Sequence, residues 1–136
     1  MRLDPAKTYP QFRAGAERMT QAWAKGETPD RVPVFAQHHE FSLRRFGLDC
    51  EEFYRDPELM VAAQVETCAQ LGLDLPTVDW DCYNVEAEAI GQQILFDADS
   101  MPDVDRDRPL VATPSDVEKI TAPDFGTAGR CREIVT

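Results

Sequence analysis

Two short stretches gather the side chains able to do chemistry. The first is Gln37-His38-His39-Glu40, with Arg44 and Arg45 one helical turn further on. The second is Asp79-Trp80-Asp81-Cys82-Tyr83, with Glu86 and Glu88 close behind. His38 and His39 are the only histidines. An imidazole titrates near neutrality, so it can carry a proton, bind substrate or ligate a metal. Adjacent residues of an extended chain point to opposite sides, so one of the two histidines faces a given pocket. Asp79 and Asp81 are two apart and share a side if the chain there is extended. Paired carboxylates hold a proton, orient a cation or accept from an array of N–H donors. Beside Trp80 and Tyr83, one of them would be partly desolvated and its carboxyl pushed up.

Each stretch also has a plain structural use. The histidines suit a polar strand end that caps the next helix, and the aspartates a solvated turn or an N-cap. Glu86 and Glu88 would diverge by about 200° on a helix, so one at most turns toward a pocket. Arg44 would clamp a substrate carboxylate, or simply sit on an exposed basic face. No third ligand at metal spacing accompanies the histidines, so no metal site is expected in this chain. The acidic run from Asp97 to Asp107 lacks the glycine and closing glutamate of a calcium loop. Cys50, Cys68, Cys82 and Cys131 form no C-x-x-C pair and read as free, mostly semi-buried thiols.

The elements that must position these residues follow from periodicity and punctuation. Residues 9–24 read as a helix with Pro10 in its first turn and Gly26 just past its end. Phe12, Ala16, Met19 and Trp23 form its apolar stripe. Residues 31–37 read as a strand, with Pro33 near its start. Residues 40–46 make a short helix stopped by Gly47, and Asp49 has the spacing of a cap for the next turn. Asp56-Pro57-Glu58 opens a longer helix to residue 70 or 71, ended by Gly72, with Val61, Val65, Cys68 and Leu71 as its buried stripe.

Residues 73–80 read as a second strand, 85–90 as a helical turn and 92–96 as an extended piece. Residues 97–108 read as a solvated acidic loop, and 110–112 as a brief strand. A short helix follows from Thr113 to Ile120, then a loop, then a helix starting at Thr127. Strands separated by helices pair in parallel through right-handed crossovers, so the class is α/β. Two such strands cannot cover their own faces, so the chain is expected to be part of a larger fold or to rely on a partner.

Composition narrows the partners. The chain has 136 residues, 43% of them hydrophobic, with 14 Lys and Arg against 25 Asp and Glu, a net charge of −11. That acidity speaks against nucleic acid and against an anionic membrane surface. No run of ~18 apolar residues is present, so no membrane span is expected. The start, Met1-Arg2-Leu3-Asp4-Pro5, has no apolar secretory core, so the expected compartment is cytoplasmic.

Four blocks in order resemble the uroporphyrinogen decarboxylase family. They are Glu17-Arg18-Met19, then Lys25-Gly26-Glu27-Thr28-Pro29-Asp30-Arg31-Val32-Pro33-Val34, then Asp56-Pro57-Glu58-Leu59-Met60, and Val85-Glu86-Ala87-Glu88-Ala89-Ile90-Gly91. The resemblance implies a (β/α)₈ TIM barrel with its site at the mouth. This chain would be the N-terminal portion: a helical lead-in over 1–30 and the first two βα units over 31–136. The rest of the barrel would then be its first partner, and the fragment alone would be inactive.

The family includes true decarboxylases and corrinoid- or cobamide-dependent methyltransferases. The decarboxylases carry an "M-R-Q-A-G-R" block after the first strand. Here that place reads Ala36-Gln37-His38-His39-Glu40-Phe41-Ser42-Leu43-Arg44-Arg45, without the two spaced arginines. Asp81, or Asp79, matches the aspartate that binds pyrrole nitrogens and is the expected catalytic residue. His38, His39, Tyr83, Glu86 and Arg44 are the expected substrate-binding residues.

The resemblance implies zinc and a corrinoid protein for a full-length methyltransferase, with no cofactor bound by this segment. The leading expectation is part of a corrinoid-dependent methyltransferase acting on a small-molecule or corrinoid substrate. The alternatives are decarboxylation of tetrapyrrole acetate side chains and a non-catalytic acidic interaction module.

Overall fold

A computed structural model describes residues 8–81, 83–98 and 100–135. Its helices are α1 (Gln11–Met19), α2 (His39–Phe46), α3 (Cys50–Arg55), α4 (Pro57–Leu71), α5 (Asn84–Ala89) and α6 (Cys131–Val135). Its strands are β1 (Ile94–Leu95) and β2 (Asp103–Val104). The chain divides into two compact units, one of residues 1–47 and 58–79, the other of 48–57 and 80–136.

In the first unit, α1 runs on into a π-helical turn at Thr20–Ala24, where the Lys25 N–H reaches the Thr20 carbonyl. That wider turn rotates the residues beyond Met19 off the expected stripe. Met19 is buried as expected, but Trp23 is 68% exposed, its ring edge-on to Phe35 at 6.1 Å. The face that packs is Gly15 and Met19. A Cβ on Gly15 would stand 1.7 Å from the Asp74 carbonyl oxygen, so only glycine allows this approach.

The two segments expected as strands in this unit, 31–37 and 73–80, form no ladder. The Asp74 N–H donates to the Val34 carbonyl (2.9 Å) and the Thr77 hydroxyl to the Ala36 carbonyl (2.5 Å), so the segments run alongside in the same direction. Side chains replace the remaining rungs. Pro33 and Pro76 have no N–H to give. The Val34 N–H goes to the Asp74 carboxylate (2.7 Å). Gln64 of α4 donates to the Asp79 carbonyl (2.6 Å) and accepts from its N–H (2.9 Å).

Helix α4 also departs from its expected stripe. Val61 and Leu71 are exposed, while Ala63, Gln64, Thr67 and Cys68 are fully buried. Its polar residues can be buried because they have partners: Thr67 bonds back to the Ala63 carbonyl and Glu66 accepts from Tyr9. Hydropathy alone assigns such residues to the outside. The glycine stops behave as read, with Gly47 and Gly72 both at positive φ.

In the second unit, the Asp49 carboxylate accepts from the Glu52 N–H (3.0 Å) and caps α3, as its spacing suggests. β1 lies within the predicted extended piece, but its partner β2 lies inside the stretch read as a solvated loop. The pair is antiparallel, Ile94 opposite Val104 and Leu95 opposite Asp103. Buried Asp105 extends it through its N–H to the Gln93 carbonyl.

Residues 110–112 are no strand; the Leu110 N–H is taken by the Gln92 side chain. The helix after Thr113 is 3₁₀, over Pro114–Lys119. α6 begins at Cys131 rather than Thr127, because Gly129 at φ +51 breaks the run. The described residues are thus helices with one two-stranded antiparallel sheet, and the parallel sheet of the expected class is not formed among them.

Candidate functional site

The end of the first extended segment feeds α2. His38 caps that helix, its carbonyl accepting from the Ser42 N–H. Its imidazole is buried, with Nδ1 2.8 Å from Ser42 Oγ and Nε2 3.0 Å from Cys68 Sγ and 3.3 Å from Thr77 Oγ1. Burial pushes the His38 pKa down, so the ring is neutral and fully used inside the fold. His39, the first residue of α2, points elsewhere. Its Nε2 lies 3.8 Å from Asp79 Oδ2. His39 Nδ1 and Asp79 Oδ2 are buried and have no hydrogen-bond partner among the described residues.

Asp81 belongs to the second unit and has different partners from Asp79. It is 1% exposed. Its Oδ1 accepts from Asn84 (2.6 Å) and its Oδ2 from Arg130 Nη2 (2.8 Å). Arg130 also donates to Glu88 (2.5 Å) and lies over the Phe96 ring, which Arg55 covers as well. Arg130 therefore serves two carboxylates, and Arg55 reaches Glu88 as well at 3.5 Å. Burial raises the Asp81 carboxyl despite the hydrogen bonds from Asn84 and Arg130. Burial works against the Arg130 charge, but Glu88 and Asp81 outweigh it and raise its pKa.

The remaining expected site residues are less enclosed. Glu86 faces solvent, and Glu88 is the one turned inward. Tyr83 is 86% exposed, with a strained backbone at φ +73. Arg44 is exposed on α2, in an open depression lined with Glu40, Phe41 and Arg45. Cys82 lies outside the described residues. Cys50, Cys68 and Cys131 are free and buried, more deeply than expected, and burial pushes the Cys50 thiol up to about 11.

Two clusters were not singled out from the sequence. Asp74 accepts from Arg18, from both Arg31 amino groups (2.7 and 2.6 Å) and from the Val34 N–H. Arg18 also grips Asp30 at both oxygens. This explains the Asp30-Arg31-Val32-Pro33-Val34 turn physically, and the lone acid in Leu73-Asp74-Leu75 was the available signal. Arg130 lies 49 residues from Asp81 and had no local signal.

A family model described as Uroporphyrinogen decarboxylase (URO-D) matches residues 15–136. No curated protein and no solved structure matched the chain. The chain belongs to the uroporphyrinogen decarboxylase family. No helix among the described residues is long and apolar enough to cross a membrane. Among the described residues no three His, Cys, Asp or Glu side chains gather as a metal would require.

Proposed function

We propose that the chain is the opening part of a (β/α)₈ enzyme of this family, and that the whole enzyme transfers a methyl group between a corrinoid and a thiol. The observation that carries this is the absence of the two spaced arginines after the first extended segment. Decarboxylation of an acetate-bearing tetrapyrrole calls for guanidinium groups that hold substrate carboxylates. Arg18 and Arg31 are spent on Asp30 and Asp74, and Arg130 on Asp81 and Glu88. The block after the first extended segment here reads Ala36-Gln37-His38-His39-Glu40, without the two spaced arginines.

The same-direction run of residues 31–37 beside 73–79 is consistent with the first two barrel strands before neighbouring strands complete the sheet. The cytoplasm is the compartment that suits this chemistry.

The test uses the whole enzyme with methylcobalamin and a thiol, following the cobalamin absorbance. The expected result is thiol-dependent loss of the methyl group. No demethylation, together with decarboxylation of tetrapyrrole acetates, would overturn the proposal.

A further inference from the structure

Among the described residues Tyr83 is the one non-glycine at positive φ, with φ +73 and ψ −39. A β-carbon makes that region costly, so it persists only where the surroundings dictate it. Here they do. Asp81, on one side, is held by Asn84 and Arg130. Asn84, on the other, is buried and donates to the Asp81 carboxylate (2.6 Å) and the Pro102 carbonyl (2.7 Å). The Tyr83 carbonyl accepts from the Ala87 N–H (3.1 Å). With Asp81 and Asn84 fixed against each other, the chain must bend within two residues, and Tyr83 carries the bend.

The ring gains nothing from this inside the fold, since it is 86% exposed. Glycine would take the same backbone without strain. A strained residue that packs against nothing points to a use outside the core. Trp80, three residues earlier, is 42% exposed, so this loop presents two aromatic rings. A ring held out on a fixed turn offers a broad contact at little entropic cost. In a (β/α)₈ enzyme the loops that follow strands form the mouth, and this turn follows the extended segment 73–79 in sequence.

We infer that Tyr83 is a substrate-contact residue whose ring packs on the corrin of the methyl donor, an inference that rests on the methyl-transfer reading. Of the two substrates the thiol is small, whereas the corrin offers a face wide enough for an aromatic ring to cover. No bond or proton moves at Tyr83. It holds donor and transition state alike, so it acts on the KM of the donor. Asn84 is its positioning residue.

Steady-state kinetics of the whole enzyme with methylcobalamin and saturating thiol test this, alongside thermal unfolding. Tyr83→Gly is expected to raise the methylcobalamin KM about tenfold and leave kcat within about twofold, the worth of one aromatic contact. Tyr83→Asn, which also tolerates positive φ, should do the same. Tyr83→Phe keeps the ring and should stay near the parent enzyme. The thermal midpoint of Tyr83→Gly should hold or rise, because the strain is released and little buried area is lost.

A donor KM indifferent to both Tyr83→Gly and Tyr83→Asn, in an enzyme that transfers methyl groups, would overturn this inference and leave the functional reading standing. A lowered midpoint with an unchanged KM would also overturn it, making Tyr83 a structural residue of the turn. An enzyme with no methyl transfer at all would overturn the functional reading and this inference with it.

Discussion

Arg130 is buried in the second unit between two carboxylates and an aromatic ring. Its guanidinium neutralises Asp81 and Glu88 and stacks on Phe96. Arg130→Met leaves a buried carboxylate unpaired, and urea unfolding should show a loss of about 3 kcal/mol. Asp81→Asn keeps the Asn84 contact geometry and leaves Arg130 with Glu88 alone, so its cost should stay near 1 kcal/mol. The reverse order would contradict Arg130 as the counter-charge of buried Asp81.

The Asp30–Arg18 and Asp74–Arg31 contacts make a separate prediction about pH. Arg18 hydrogen bonding holds Asp30 down at about 2. Burial alone would raise Asp74, but the Val34 N–H and the two arginines hold it below its usual value. Both carboxyls are lowered on folding, so their stabilisation is complete above the unfolded carboxylate range near pH ~4. It is lost as pH falls through the folded values. The urea midpoint should therefore drop between pH 5 and 2 by an amount that Asp74→Asn makes smaller. These contacts were only half legible: Asp30 and Arg31 stood out as a block, but their partners lie 12 and 43 residues away.

At the scale of elements, Gly15 decides how closely α1 approaches the segment that carries Asp74. Gly15→Ala puts a methyl into the Asp74 carbonyl, and relief requires moving main chain. Unfolding should show a loss of about 1–3 kcal/mol, a cost typical of overpacking. Gly26→Ala, which meets no neighbour, should cost less and only through its positive φ. Caps and stops were readable because Asp49, Gly47 and Gly72 act through local backbone geometry. The strands were not, because Pro33 and Pro76 remove donors and the rungs pass to Asp74 and Gln64, side chains that no period reveals. The Trp23 error has the same character: a single π-helical turn shifts the register, and nothing in hydropathy marks it.

At the scale of the whole molecule, four ordered sequence blocks were enough to reach the family, and the family match covers residues 15–136. The parallel sheet was read from alternation of elements, but alternation does not say whether neighbours are present to complete a ladder. The antiparallel β1–β2 pair escaped notice because β2 is two residues long in an acidic stretch. Of the residues singled out from the sequence, His39 and Asp79 lie 3.8 Å apart, whereas Asp79 and Asp81, which looked like a pair, have separate partners.

The central claim is that this family member moves methyl groups and does not remove carboxylates. The most direct measurement offers the whole enzyme both reactions side by side, scoring methylated thiol against carbon dioxide released from tetrapyrrole acetates. Methylated thiol with no carbon dioxide above the enzyme-free control is the predicted result. Carbon dioxide release without thiol methylation would contradict the account.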